Sequence, residues 1–355
     1  MKVCIVCPYG ISSPGGVWNH IQNLSNEIKN KKIDYVIVFP TSNYNLKNNN
    51  YYQIGKPFKI RSAGSIANIT ISPFIGDKVK KFLSSYKPDI IHIHEPFAGS
   101  LPMFFIKYAK CKIVATFHSN KGTWLYKYKM STLFKSLYNK IDYKIAVSNS
   151  AKNYINKHFK NNYVIIPNGI NTKNFKSYTN TKNSKIVNLL FIGRNDKRKG
   201  LRYLIEALKN YKFEFPVELT IIGHEYKGNE IDGIKIYNPG IVSEELKQQI
   251  LVNSDILCAP SLGYESFGII LLEAMASNTV VIASNIEGYN EIISHDINGL
   301  LFEPKNPKSI YESINYIYKN KQHKDLIIKN GQNTLNNYDW NNISDKIIEV
   351  YKNLK

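Results

Sequence analysis

The stretch from Cys258 to Met275, CAPSLGYESFGIILLEAM, constrains this chain more than any other. It begins at the end of a short apolar run, Asp255 to Pro260, and crosses a polar turn containing a glycine. From near Ser266 the pattern predicts an apolar helix. Two carboxylates frame that helix, Glu265 at its mouth and Glu273 eight positions on. On this reading Ser266, Phe267, Gly268 and Ile269 carry the unpaired N–H groups of the first turn. Those donors, with the positive end of the helix dipole, favour a bound anion. Gly268 leaves the backbone bare enough for a phosphate to approach.

A carboxylate beside an anion site suits a ligand that is both anionic and rich in hydroxyls. A nucleotide sugar has that chemistry: diphosphate for the N–H groups, sugar and ribose hydroxyls for the glutamates. Paired glutamates also suggest a glycoside hydrolase. Eight helical positions, however, separate the two backbones by about 12 Å and turn the side chains about 80° apart. Hydrolytic carboxylates stand about 5–5.5 or 6.5–9.5 Å apart. Hydrolysis is therefore disfavoured. Taken singly, each glutamate also reads as a helix cap or a solvated position. The weight lies on the whole pattern Glu-Ser-Phe-Gly-Ile-x-x-x-Glu following an apolar strand.

A chain of 355 residues has room for two domains, each with its own core. Hydrophobic content of 43% against 21% charged residues is that of a globular protein. The 47 Lys and Arg outnumber the 27 Asp and Glu, a net charge of +20 that points to an acidic partner. Nucleic acid is not the expected one, because neither zinc-finger spacing nor an aromatic RNA-binding signature occurs. No run of 18 apolar residues is present and the N-terminus reads as a strand, so a cytoplasmic protein is expected. Cys4, Cys7, Cys111 and Cys258 all sit in apolar strand contexts. Cys4 and Cys7 have CxxC spacing, but an offset of three on a strand points the thiols to opposite faces. Buried structural thiols are expected.

Apolar runs alternate with helical patterns along the chain, which is the signature of parallel α/β sheets. Lys2 to Tyr9 and Asp34 to Pro40 read as strands, joined through Ser12-Ser-Pro-Gly-Gly16 and a helix from Val17 to Lys29. Gly15 and Gly16 ahead of a helix serve equally as a phosphate approach or a plain turn, and the full dinucleotide fingerprint is absent. Residues 41–57 form a polar loop, and Lys59 to Ser72, with Gly64 inside it, reads as short strands with turns. Pro73 to Tyr86 is an amphipathic helix with Phe74, Val79, Phe82, Leu83 and Tyr86 on one side and Lys78, Lys80 and Lys81 on the other. Such a helix suits an anionic membrane, or simply a sheet below it.

Strands Asp89 to His94 and Lys112 to Phe117 bring His94, Glu95 and His118 to their carboxyl ends, where ligands gather in open α/β sheets. Lys144 to Val147 and Tyr163 to Ile166 complete the first sheet. Domains are expected at 1–170 and 185–337, joined by a polar linker at 173–184, with a last helix at 338–355 packing back on the first domain. In the second, strand Ile186 to Ile192 leads into Gly193-Arg-Asn-Asp-Lys-Arg-Lys-Gly200. There Arg194 and Lys199 are placed to clamp a diphosphate. Ser243-Glu-Glu-Leu246 starts a further helix.

Gly15-Gly16-Val17, His92-Ile-His-Glu-Pro96, Ala115-Thr-Phe-His118, Ile166-Pro-Asn-Gly169, Gly193-Arg194, Arg198-Lys199-Gly200 and the Glu265/Glu273 pattern stand in an order that resembles the family 4 retaining glycosyltransferases. The resemblance spans nearly the whole chain. It implies the GT-B fold, two Rossmann-like α/β domains with parallel sheets facing across a deep cleft. Within the family the chain looks most like the bacterial phosphatidylinositol mannosyltransferases that use GDP-mannose. The implied activity is transfer of a hexose to a lipid or polyol-phosphate acceptor, at the inner face of the cell membrane. Arg194, Lys199, His118 and Glu265 would be catalytic. Gly16, Arg194, Lys199, Val242, Lys247, Ser266, Phe267, Gly268, Ile269 and Glu273 would bind the donor. Tyr9, Gly15 and Trp18 would meet the acceptor, and Lys78, Lys80 and Lys81 the anionic membrane.

Cleft closure would align the reactants, with leaving-group charge stabilised electrostatically. No Asp-x-Asp occurs, so neither metal nor other cofactor is expected, and Arg and Lys take up that charge. Three other readings stay open. They are a family 4 transferase using a UDP-sugar for cell-envelope glycan, a nucleotide-sugar epimerase, and a non-catalytic basic protein that binds membrane or nucleic acid. The last predicts polyanion binding with a steep salt dependence.

Overall fold

The computed structural model describes residues 1–10, 15–42, 48–62, 65–121, 132–175, 178, 185–228 and 230–355. Residues 11–14, Gly64 and most of the 173–184 linker lie outside the described residues. The chain divides into two compact units, Met1–Gly169 with Trp340–Lys355, and Ile170–Asp339.

The first unit runs β1 (Lys2–Val6), α1 (Gly16–Asn30), β2 (Asp34–Phe39), β3 (Tyr51–Gln53), β4 (Phe58–Ser62), β5 (Ser65–Ile69), α2 (Gly76–Tyr86), β6 (Ile90–His94), α3 (Ser100–Tyr108), β7 (Lys112–Phe117), α4 (Thr132–Asn139), β8 (Tyr143–Ala146), α5 (Asn149–Asn156) and β9 (Val164–Ile165). Its parallel sheet has the order β3-β2-β1-β6-β7-β8-β9, and β4 and β5 form a separate antiparallel hairpin. The second unit contains β10 (Val187–Ile192), α6 (Leu201–Asn210), β11 (Val217–Ile222), β12 (Lys235–Gly240), α7 (Glu244–Val252), β13 (Ile256–Ala259), α8 (Ile269–Ala276), β14 (Val280–Ser284), α9 (Glu287–Asn290), β15 (Leu300–Phe302), α10 (Pro307–Lys319) and α11 (Lys321–Thr334). Its parallel sheet has the order β12-β11-β10-β13-β14-β15. The last helix, α12 (Trp340–Leu354), belongs to the first unit.

Both sheets are covered on both faces, so their strands are apolar without alternation. Val3 and Ile5 of β1 face one core while Cys4 and Val6 face the other. Cys4, Cys7 and Cys258 are buried and unpaired, and burial pushes the Cys7 thiol up to about 12.

Helix starts follow local chemistry. The Ser148 hydroxyl accepts the Ala151 N–H at 2.9 Å to cap α5. Ser243 does the same for Leu246 at 3.2 Å in α7, whose first turn carries Glu244 and Glu245. α10 opens with Pro307 behind an Asn306 cap.

Trp340, Ile343, Ile347 and Tyr351 of α12 enter the core formed by α1 and β1. Lys31 pairs with Asp345, and the Tyr351 hydroxyl lies 2.6 Å from His92 Nδ1. Ile347→Ala empties a fully packed position, and losses of about 2–5 kcal/mol are usual for such cavities. Urea unfolding followed by tryptophan fluorescence should show the first unit's transition at a lower midpoint.

Two side chains depart from the expectations above. Trp18 is buried on α1, edge-on to Phe39 at 5.5 Å and Tyr51 at 6.0 Å. Its ring is engaged in the core and does not face an acceptor. Phe74 is 88% exposed, because a 3₁₀ turn over Pro73–Ile75 precedes α2 and rotates it off the buried face. Lys78, Lys80 and Lys81 are exposed, with Lys80 Nζ 3.3 Å from Asp77.

Candidate active site

Loops after β10, β13 and β14 converge at the carboxyl end of the second sheet. In the β10–α6 loop Asp196 accepts the Arg198 N–H at 2.9 Å and pairs with the Arg198 guanidinium at 2.5 Å. Gly200 follows with φ +71°, and a Cβ there would fall on the Pro260 carbonyl oxygen. Leu262 N donates to Arg198 O at 2.7 Å, locking the first two loops together. Gly288, in α9, lies equally close against the Glu265 carbonyl.

This contact brings Lys199 and Glu265 into an ion pair of 2.8 Å with both side chains about one-fifth exposed. Ser261 Oγ donates to Glu265 Oε1 at 3.2 Å and lies 2.9 Å from the Tyr289 hydroxyl. Glu265 precedes the helix rather than sitting on it, so the helical spacing used above to separate it from Glu273 does not apply. The helix starts at Ile269 because Gly268 takes φ +93°, a left-handed position where a Cβ would also meet Tyr289 at 2.9 Å. The first-turn N–H groups are therefore those of Ile269 onward. Phe267 turns its ring into the core against Tyr338.

Glu273, within α8, is largely covered, with its side chain 13% exposed. Lys247 Nζ lies 2.9 Å from Glu273 Oε1 and 2.7 Å from Glu244 Oε2. Burial raises the Glu273 pKa, with Lys247 pulling it back. Burial works against the Lys247 charge, but Glu273 and Glu244 outweigh it and hold the ammonium protonated. Glu273 Oε2 has no hydrogen-bond partner although it is buried. Arg194 is exposed and lines a cavity of about 1350 Å³ with Gly223, His224, Tyr226 and Pro239 to Ile241. Ile241 is 86% exposed, whereas Val242 is partly buried against the core.

In the first unit, Gly15 and Gly16 open α1 with no atom within 4 Å of a Cβ built on either. Neither packing nor a positive φ requires glycine there. At the ends of β6 and β7, Glu95 has φ +48° and its Oε1 accepts the N–H groups of His118 at 2.5 Å and Ser119 at 2.8 Å. Burial raises the Glu95 pKa, and these two bonds oppose the rise. Tyr9 is near enough that Glu95 adds to the burial raising its phenol.

Three buried histidines meet at this point. His94 Nδ1 and His118 Nε2 are 2.9 Å apart. The ring of His20, from α1, lies 5.2 Å from that of His94 and 4.9 Å from that of His118. His20 Nδ1 is 2.8 Å from Asn168 Oδ1, and the next residue, Gly169, lies so close to the Trp340 ring that a Cβ there would collide with it. Nitrogens of the three rings fall within 4.8 Å of one another, a grouping with metal-ligand chemistry. Tetrahedral zinc wants such nitrogens about 3.3 Å apart, and binding would break the His94–His118 contact. His20 had no sequence signal beyond being one apolar-face position of α1.

Two family models cover the chain. The one described as "Glycosyltransferase Family 4" matches residues 14–174, and "Glycosyl transferases group 1" matches residues 170–334. A phosphatidyl-myo-inositol mannosyltransferase of Mycolicibacterium smegmatis is 30% identical, over 99% of this chain and 94% of its own. The chain belongs to glycosyltransferase family 4. It is a glycosyltransferase with the GT-B fold. A Rickettsia africae glycosyltransferase superposes with TM-score 0.77 at 21% identity, covering 99% of this chain and 98% of that one. The Anabaena protein Alr3699/HepE, solved in complex with UDP, superposes with TM-score 0.79 at 17% identity over the whole of both chains.

Burial holds His20, His92, His94 and His118 of this glycosyltransferase neutral, with His20 lowered to about 4 and His92 to about 3. The unfolded chain binds protons at these groups near pH 6.5 and the folded one does not. Their stabilisation is therefore complete above that pH and is lost as pH falls toward 4. At about 1.4 kcal/mol per pH unit, His20 alone costs about 3 kcal/mol by pH 4. Thermal unfolding between pH 7.5 and 4.5 should show the midpoint falling steadily, and His20→Gln should flatten part of that fall.

Proposed function

We propose that this glycosyltransferase moves a hexose, with retention of configuration, from a nucleotide sugar to a lipid or polyol-phosphate acceptor at an anionic membrane surface. The donor is read as GDP-mannose and the acceptor as phosphatidylinositol, on the strength of the relatives named phosphatidyl-myo-inositol mannosyltransferase. The observation that carries donor binding is Glu273. A largely covered carboxylate with one oxygen on Lys247 and the other, buried oxygen unpartnered is an acceptor awaiting hydroxyl donors, which the ribose of a nucleotide supplies.

Arg194 and Lys199 take the diphosphate. Lys199 is positioned by Glu265, and Arg194 stands free on the wall of the cavity. Glu265 receives sugar hydroxyls, and the N–H groups at the start of α8, with Ser266, Phe267 and Gly268 before it, give backbone contacts. Lys247 and Val242 flank the nucleoside. In the first unit the bare N-terminus of α1 at Gly15 and Gly16 admits phosphate, Tyr9 meets the acceptor, and His118 contacts the transferred sugar. Charge developing on the leaving nucleotide is met by the two cations, without a metal in the scheme.

Arg194→Ala should lower kcat by about 10²–10³, the scale of one lost electrostatic contact in the transition state, with a smaller change in KM. Product mass measured with GDP-mannose, GDP-glucose, UDP-glucose and UDP-N-acetylglucosamine against phosphatidylinositol tests the donor and acceptor together. Transfer from a UDP-sugar alone would replace the GDP reading, for which Alr3699/HepE with UDP is the precedent.

No helix among the described residues is long and apolar enough to cross a membrane. Membrane contact is read as peripheral. The exposed Ile71 (56%) and Phe74 (88%) precede the exposed Lys78, Lys80 and Lys81 in the chain, apolar groups to enter the interface with cations to hold the headgroups. At about 1 kcal/mol per lysine, replacing all three by Ala should weaken partition to phosphatidylinositol vesicles by about 100-fold. Sedimentation at low and high salt checks this.

A further inference from the structure

The His94–His118 contact fixes more than distance. A neutral imidazole carries one proton, so one of the two rings donates across the 2.9 Å and the other accepts. The remaining nitrogens decide which. His94 Nε2 is buried with no partner. If His118 Nε2 donated, His94 would carry its proton on Nε2, a buried N–H with nothing to receive it. If His94 Nδ1 donates, the orphaned atom is a lone pair. Buried donors without acceptors are rarer than buried acceptors without donors.

His20 offers no escape. Asn168 Oδ1 only accepts, so His20 Nδ1 is the protonated atom, and its Nε2 is likewise a buried, unpartnered lone pair. His92 is saturated by Tyr351 at Nδ1 and Thr116 at Nε2, at 2.6 and 2.7 Å. The ring of His118 is thus held at Nε2, while its backbone N–H is held by the Glu95 carboxylate at 2.5 Å. Among the described residues no hydrogen bond reaches its Nδ1.

We infer that His94 is a positioning residue which, by donating from Nδ1, locks His118 in the tautomer with the proton on Nδ1. The site then presents an N–H donor to its ligand. Such a group reads an oxygen as acceptor and leaves the hydroxyl proton of that oxygen to a partner elsewhere. The catalytic consequence rests on the proposed contact between His118 and the transferred sugar; the tautomer itself does not.

The test uses the full chain with ¹⁵N-labelled histidine and two-bond ¹H–¹⁵N correlation, which distinguishes the tautomers without any substrate. Loss of one signal in His118→Gln identifies the residue. Wild type should show the proton on Nδ1. His94→Ala, which opens room for a water that can accept from His118 Nε2, should let His118 populate the other tautomer and lower kcat by about 10- to 100-fold, the scale of one buried hydrogen bond. His94→Asn, whose amide donor falls near the Nδ1 position, should restore both the tautomer and most of the rate. It also serves as the folded control if His94→Ala unfolds. A wild-type signal with the proton on Nε2 overturns the inference, as does His94→Ala with tautomer and rate unchanged. The expected tautomer with full transfer in His118→Gln would sink the sugar contact and leave the positioning intact.

Discussion

Everything at the strand ends of the second unit depends on backbone meeting backbone where a side chain has no room. Gly200 rests on the carbonyl of Pro260 and Gly288 on that of Glu265. The loops after three neighbouring strands consequently close to hydrogen-bond distance, as the Leu262 to Arg198 bond shows. Only then do Lys199 from one loop and Glu265 from another stand 2.8 Å apart. A parallel sheet makes this arrangement available, because it delivers all its strand ends to one edge. The glycines convert a shared edge into a shared site.

Charge at that edge is managed by pairing rather than exposure. Asp196 occupies Arg198, Glu265 positions Lys199, and Glu244 and Glu273 together hold Lys247. Arg194 is left on the cavity wall. Part of the net charge of +20 is thus held at this edge in oriented pairs, beside the exposed Arg194 and Lys197 on the cavity wall. The first unit follows a different rule. Its strand ends gather neutral, buried imidazoles whose hydrogen bonds are directional, so they can dictate where a single proton sits.

Legibility in the sequence followed the strength of periodic and steric signals. β1, β2, β6, β7, β8, β9, β10 and the Ser243 cap of α7 were readable because burial on both faces and capping chemistry act locally, whereas the short edge strand β3 fell inside the stretch read as a polar loop. Trp18 was given to the acceptor by resemblance and is buried instead, whereas Phe74 and the start of α8 were misread for one reason: helical phase. One positive φ at Gly268 moves a helix start by three residues, and one 3₁₀ turn swings an aromatic ring into solvent. α3, α4 and α5 gave no comparable signal. α3 carries apolar residues around most of its circumference, while α4 and α5 span eight residues each.

The sequence by itself determined the fold class, the family and the chemical kinds of residue at the strand ends, because those rest on local patterns and ordered motifs. The tertiary structure decided which of those residues touch. The pairing of Lys199 with Glu265 and of Lys247 with Glu273, the unpartnered oxygen of Glu273 and the meeting of His20, His94 and His118 all join positions distant in sequence. Such contacts leave no periodicity to read, since they arise only when separate strands are laid side by side and water is removed from between their ends.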